Sequence, residues 1–224
     1  VIAILDLGIG NLSSVQSGLY RVGMDSVVVG RAADWDNLRQ GGTDGADASC
    51  ISGVLLPGVG AFGDAMFQLR ASGLLNVVRT VAREGRPLLG ICLGMQLLFG
   101  MSDEHGSHMG LGFFPGRVVR FAGPAKVPHM GWNTLSTVKS HPLLSGVQKD
   151  DYVYFVHSYY AVLQDATDLI AATDYAGVQV PAVVARKNVY GAQFHPEKSG
   201  PVGEQILRNF ATICRLHAKR SVKA

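Results

Sequence analysis

Cys92 stands in Gly90-Ile91-Cys92-Leu93-Gly94, between an apolar run and a helical pattern. This is the G-x-nucleophile-x-G elbow with cysteine in place of serine. A sharp strand-to-helix turn holds such a side chain out of a sheet, and flanking glycines relieve the crowding. The helix N-terminus then favours the thiolate, which is the reactive form. A small buried cysteine in a glycine-rich turn has the same local sequence, so the elbow alone leaves both readings open. His195-Pro196-Glu197 supplies the other half. It follows the apolar run Val189–Phe194, which puts His195 at or just past a strand end. Residues two apart on an extended chain share a face, so Glu197 is expected beside His195. A carboxylate there fixes the imidazole tautomer and stabilises the imidazolium. The three residues together point to nucleophilic acyl chemistry.

Acyl transfer also needs donors for an oxyanion. The backbone N–H of Leu93, next after the nucleophile, is one by elbow geometry. A second is expected from Pro57-Gly58-Val59-Gly60, a glycine-rich loop at the end of a neighbouring strand. Glycines on both sides of Val59 make a peptide flip cheap, because glycine tolerates either sign of φ. Gly58, Val59 and Gly60 therefore form a candidate oxyanion loop that could be switched. The same stretch, Gly58-Val59-Gly60-Ala61-Phe62-Gly63, fits the dinucleotide fingerprint. That fingerprint wants an acidic residue at the end of the next strand. Glu84 has the spacing but precedes its strand, which argues against a nucleotide.

These groups need a scaffold of strand ends. Val1–Leu5 reads as a strand, followed by a turn at Gly8, Gly10 and Asn11. A helix with Leu12, Val15, Leu19 and Val22 on one stripe stops at Gly23. Val27–Val29 is a second strand, and Arg31 to Gly53 a short helix plus a long surface loop. Val54–Leu56 is a third strand. A helical stretch from about Ala61 to Glu84 is weakened or broken at Gly73. Pro87–Ile91 is a fourth strand, and Gly94 to Phe99 starts the next helix. Strands this apolar, alternating with helices, predict a mainly parallel sheet covered by helices on both faces. In the second half Tyr152–Val156, Ala182–Ala185 and Val189–Phe194 read as strands joined by short turns, an antiparallel extension. Gly203–Ala218 is a closing helix. With no repeat or low-complexity linker, residues 1–224 are expected to form one α/β domain.

Composition sets the outer limits. A chain of 224 residues, 47% apolar and 17% charged, can bury one sizeable core and is not a disordered protein. The net charge of +3 is mild. The basic cluster Arg215 to Lys223 reads as a solvated helix end that suits the helix dipole, not a nucleic-acid patch. Cys50, Cys92 and Cys214 build no disulfide framework, which points to a reducing compartment. Val1–Leu5 is too short for a signal peptide or a membrane helix, so a cytoplasmic location is expected. His105-x-x-His108 lacks the further ligands a metal site needs, and neither metal nor cofactor is expected.

Five stretches carry a resemblance over nearly the whole chain. They are Asp6–Leu12, Leu56–Gly63, Pro128-His129-Met130-Gly131-Trp132-Asn133, Tyr154-Phe155-Val156-His157-Ser158-Tyr159 and Gln193–Gly200. With the elbow and His-Pro-Glu, they resemble the class I glutamine amidotransferases of the triad type. Within these the chain resembles the glutaminase subunits of imidazole glycerol phosphate synthase. The resemblance implies that Cys92 attacks the side-chain amide of glutamine, His195 protonates the leaving ammonia, and water hydrolyses a glutamyl thioester. It implies that Gln96, Glu104, Ser158 and Tyr159 hold the substrate. It also implies that Met130, Trp132, Tyr154 and Lys198 face a separate (β/α)8 cyclase subunit, which takes the ammonia in histidine biosynthesis. Such a barrel needs about 250 residues, so it is expected in trans. Read without the family, Glu104 could equally be a solvated side chain and Trp132 a core residue. Two departures stand out: Leu7 replaces a usual aromatic, and Arg39–Ser52 is longer than typical.

Overall fold

Strand β1 (Ile2–Leu5) shows how the sheet divides the interior. Ile2 and Ile4 enter one buried cluster, Ala3 and Leu5 the other, as the period of two along a strand requires. This computed structural model describes residues 1–40, 51–123 and 125–221, with side chains through Lys219. Cys50, most of Arg39–Ser52 and the end of the basic C-terminal run lie outside the described residues.

The first half alternates strand and helix: α1 (Leu12–Arg21), β2 (Ser26–Val29), α2 (Ala32–Arg39), β3 (Gly53–Gly58), α3 (Phe62–Ala71), α4 (Leu74–Arg83), β4 (Leu88–Cys92) and α5 (Leu93–Leu97). The Asn11 side chain caps α1 by accepting from Ser14 N at 3.2 Å. Gly73, at φ +76°, splits the long helical stretch into α3 and α4. Short strands follow: β5 (Phe99–Ser102), β6 (His108–Met109), β7 (Phe114–Arg120), β8 (His129–Thr134), β9 (Thr137–Val138), β10 (Tyr152–His157), β11 (Tyr159–Leu163), β12 (Leu169–Tyr175), β13 (Val178–Arg186) and β14 (Val189–Ala192). Helix α6 (Gly200–Ser221) comes last.

The main sheet has the order β2-β1-β3-β4-β14-β13-β12-β9. Its first five strands are parallel and the last three antiparallel, the mainly parallel sheet with an extension expected from the sequence. Three expectations need correction. Val189–Phe194 is not part of the antiparallel extension alone: β14 ends at Ala192 and pairs in parallel with β4, so it joins the two halves. Tyr152–Val156 lies outside that sheet, pairing with β8 in a separate two-stranded ribbon. The helix after Cys92 ends at Leu97, and Phe99 opens β5, which belongs to a second sheet of order β11-β7-β5-β6. Local apolar periodicity does not distinguish these partners, because pairing is a long-range choice.

One buried cluster packs α1, α6 and the β8–β10 ribbon on one face of the main sheet, around Phe155, Phe194 and Phe210. The other packs α2 to α5 and the second sheet on the opposite face, around Phe62, Phe99 and Phe114. Leu7, the departure from the usual aromatic, is buried in this second cluster. Among the described residues no helix is long and apolar enough to cross a membrane.

Helix α5 begins directly on β3. A Cβ on Gly94 would run into the Leu56 carbonyl oxygen, and one on Gly90 would lie 2.6 Å from the Gly94 carbonyl. Neither obstacle is a flexible side chain. Gly94→Ala is therefore expected to cost at least about 3 kcal/mol of stability, the upper range for overpacking a core. A thermal melt within a degree of the native chain would show that the approach is not a constraint.

Candidate active site

No residue separates β4 from α5, so the chain must turn at Cys92 itself. Its backbone adopts φ 54°, ψ −111°, a conformation that costs a side-chain-bearing residue on the order of 1–3 kcal/mol. The surrounding strand and helix hold that strain. With only five residues, α5 offers the site its first N–H groups and little of a long helix's dipole.

Strand β14 lies beside β4, and its continuation carries His195 to the same edge. His195 itself is extended, at φ −97°, ψ 97°, but the chain does not continue so. It precedes a 3-10 turn, Pro196–Lys198, opened by the proline. That turn, not strand alternation, brings Glu197 Oε1 to 2.8 Å from His195 Nδ1. Gly18 of α1 leaves room for it: a Cβ there would sit 3.3 Å from Glu197 Cβ. The backbone N–H of His195 donates to the Tyr154 carbonyl at 3.0 Å. Ser199 Oγ accepts from Tyr154 N and donates to the His195 carbonyl. With Nδ1 engaged by Glu197, Nε2 is the nitrogen left for Cys92. Burial opposes a charge on His195, but contact with Cys92 and Glu197 outweighs it and raises the ring's pKa. The three groups expected to form a triad thus lie together on adjacent strand ends. They can stabilise a thiolate–imidazolium pair.

A cavity of about 330 Å³ opens over Cys92. Val59, Gly60, Leu93, Gln96, Glu104, Ser158 and Tyr159 line it, which gathers the expected oxyanion and substrate residues around the sulfur. Gly58 pairs in register with Cys92, and Gly60 is at φ +96°. Gly58 itself lines a smaller crevice behind the cavity, with Asn11, His195, Glu197 and Lys198. Glu104 is buried, not solvated: its Oε2 accepts from Phe62 N at 2.7 Å. At Ser158 the chain leaves the ribbon and enters the second sheet.

The four expected interface residues lie apart from the cavity. Met130 and Trp132 are 62% and 55% exposed on the outer face of the ribbon. Trp132 meets Tyr154, its register partner, edge to face at 6.0 Å, so it is not a core tryptophan. Lys198 is exposed on the turn that carries Glu197.

Residue types and spacing gave no role to three buried polar side chains near the site. Gln193 Nε2 lies 3.8 Å from Cys92 Sγ. His129 and His157 are register partners across the ribbon, so only strand pairing brings them together. His157 Nδ1 donates to the Tyr159 carbonyl at 2.8 Å, which leaves its Nε2 to accept from His129 Nδ1 at 3.1 Å. His129 Nε2 then accepts from Asn133 at 3.2 Å. Both rings are satisfied only when neutral. Burial lowers His129 to a pKa of about 4. Burial, with the neighbouring rings, lowers His157 to about 3.

Residues 3–214 match the family described as glutamine amidotransferase class-I. Among curated relatives, the imidazole glycerol phosphate synthase subunit HisH of Desulfitobacterium hafniense is 47% identical over 210 residues, covering 94% of this chain and 93% of that protein. The subunits of the same name from Geobacillus thermodenitrificans and Halobacterium salinarum are 48% and 49% identical, each over 95% of this chain, and over 96% and 93% of their own lengths. Among solved structures, one of a glutamine amidotransferase superposes with a TM-score of 0.70 at 18% identity, covering 96% of this chain and 99% of that one. The structure of PurLQS from Thermotoga maritima gives 0.71 at 17%, covering 94% and 97%. These two speak for the fold.

The neutral histidine pair makes stability depend on pH. In the unfolded chain both rings take up protons near 6.5, whereas folded they resist protonation down to about 4 and about 3. The unfolded state therefore binds more protons as pH falls below 6.5, and stability is lost through that window. The expected slope is up to about 1.4 kcal/mol per pH unit for each ring. His129→Phe, which fits the aromatic stack on Tyr175 and Phe155, should flatten it. Denaturant melts across the acid range measure the slope, and an unchanged slope in His129→Phe would refute the assignment.

Proposed function

This chain belongs to the class-I glutamine amidotransferase family, and from that we infer that it hydrolyses glutamine to glutamate and ammonia as the glutaminase subunit of an imidazole glycerol phosphate synthase. The observation that carries the chemistry is Cys92, held at a strained elbow against a His195 that is hydrogen-bonded to Glu197, all beside a cavity of about 330 Å³. Near half identity to the synthase subunits, over nearly all of this chain, supports the particular synthase.

Cys92 Sγ attacks the carboxamide carbon of glutamine. His195, holding the proton taken from the thiol, passes it to the leaving nitrogen, and ammonia departs from a glutamyl thioester. A water molecule then attacks the thioester with His195 as base, releasing glutamate and restoring the thiol. Glu197 keeps His195 Nδ1 protonated so that Nε2 does this work. Leu93 N–H, and Val59 N–H when the Gly58–Gly60 loop turns it inward, stabilise the oxyanion. Gln96 and the Ser158–Tyr159 backbone hold the substrate, and the free oxygen of Glu104 receives its ammonium group. The ammonia passes to a separate (β/α)8 cyclase subunit, which forms imidazole glycerol phosphate and aminoimidazole carboxamide ribotide. The face of exposed Met130 and Trp132 and half-buried Tyr154, with Lys198 beside it, is the docking surface.

An electrophilic glutamine analogue should label Cys92 and spare Cys50 and Cys214, and Cys92→Ala should lose glutaminase activity while melting like the native chain. Labelling that persists in Cys92→Ala would overturn the nucleophile. Glutamate release should be slow from the chain alone and rise when a cyclase subunit and its nucleotide substrate are added. Val59→Pro, which removes the switchable donor, should cut the stimulated rate by about 10²–10³ with glutamine binding retained. Full stimulation in that variant would refute the switch. Trp132→Ala should weaken cyclase binding in calorimetric titration more than it lowers the melting temperature, since the side chain is 55% exposed.

A further inference from the structure

Gln193 takes no part in the chemistry above, yet it is fully buried and reaches the nucleophile. The direction of its carboxamide is settled by its neighbours. Gln96 Nε2 stands between two acceptors, the Tyr159 carbonyl at 2.8 Å and Gln193 Oε1 at 3.1 Å. Tyr159 O can only accept, so Gln96 must present its amino group there, and it has two hydrogens to give. Gln193 must then present its oxygen to Gln96. Its own amino group is left on the other side, 3.8 Å from Cys92 Sγ.

The sulfur therefore has two polar neighbours of opposite kind. The thiol donates to the Val156 carbonyl at 3.7 Å, a contact that serves only the protonated form. The Gln193 amide donates to sulfur and serves the thiolate, which can only accept. A buried amide that only needed to hold Gln96 would leave its own N–H groups facing an apolar interior, at a cost.

We propose that Gln193 is a further catalytic residue of this site: its side-chain amide donates a hydrogen bond to the Cys92 thiolate and, through Gln96, links the sulfur to the substrate's binding residues. When the thiol gives up its proton to His195, Gln193 takes over from the Val156 carbonyl as the partner of the sulfur. As the thiolate attacks, that charge passes to the oxyanion, and the Gln193 bond keeps the sulfur aimed at the carboxamide carbon. The proposal rests on Cys92 being the nucleophile.

The test reads the sulfur directly. Alkylation of Cys92 by iodoacetamide is followed by mass spectrometry of its peptide across the pH range in which thiols titrate. The other titratable groups around the sulfur are His195 with Glu197 behind it, and Glu104 and His157 at the cavity, and all of them stay in place. Gln193→Met keeps the volume and removes the donor. The pH of half-maximal alkylation should rise by about half a unit or more. Gln193→Glu keeps an oxygen for Gln96 but sets a charge beside the sulfur. It should move the profile further and lower the kcat of the cyclase-bound enzyme about tenfold or more. If Gln193→Met does not fold, Gln193→Leu, which removes the donor without adding a charge, carries the same comparison. Alkylation profiles matching the native one, with KM raised instead, would reduce Gln193 to a support for Gln96 and overturn the proposal. Failure of the glutamine analogue to label Cys92 in the native chain is a separate result, and it would remove the nucleophile assignment itself.

Discussion

The site depends on one close approach, the contact of Gly94 with the Leu56 carbonyl. It lets α5 start at the very end of β4, and so forces the reversal of the chain onto Cys92. A positive φ at a side-chain-bearing residue is unfavourable alone, and here packing on both sides of the main sheet over-determines it. The sulfur is thereby pointed away from the sheet. A longer connection would relieve the strain and lose the aim.

Given that fixed point, the partners need only reach the same edge. Parallel pairing of β14 with β4 does this for His195, and the proline-led 3-10 turn adds Glu197 within two residues. The turn is clamped by Ser199 to β10, the inner neighbour of the exposed Trp132 face. The His195–Glu197 pair and the ribbon are thus mechanically continuous. The exposed Trp132 face has a short path to the imidazole, through Tyr154 and Ser199.

Two opposite electrostatic environments sit side by side. His195 is buried yet favours the imidazolium, because Glu197 and Cys92 offset its desolvation. His157, also buried, has only a carbonyl and another imidazole as partners, and stays neutral. The difference is not burial but the charge of the nearest acceptor. A neutral His157 avoids a second positive charge close to His195. Its Nδ1–H shares the Tyr159 carbonyl with Gln96.

The sequence by itself determined the reactive types and the local turns that display them. Gly90 and Gly94 around Cys92, and Gly73 splitting a helix, act through nearest-neighbour sterics, which a linear reading captures. Apolar runs alternating with helical patterns also sufficed for the parallel half of the sheet. Tertiary structure alone decided what pairs with what. The sequence could not say that β14 would lie beside β4, that β10 would leave the main sheet for a ribbon with β8, or that His129 would face His157. Nor could it choose between a solvated and a buried Glu104, or a core and an exposed Trp132. Those outcomes follow from long-range strand register and from competition for buried surface. A buried polar side chain such as Gln193 acquires its meaning only when the fold brings its hydrogen-bond partners, distant in sequence, within reach.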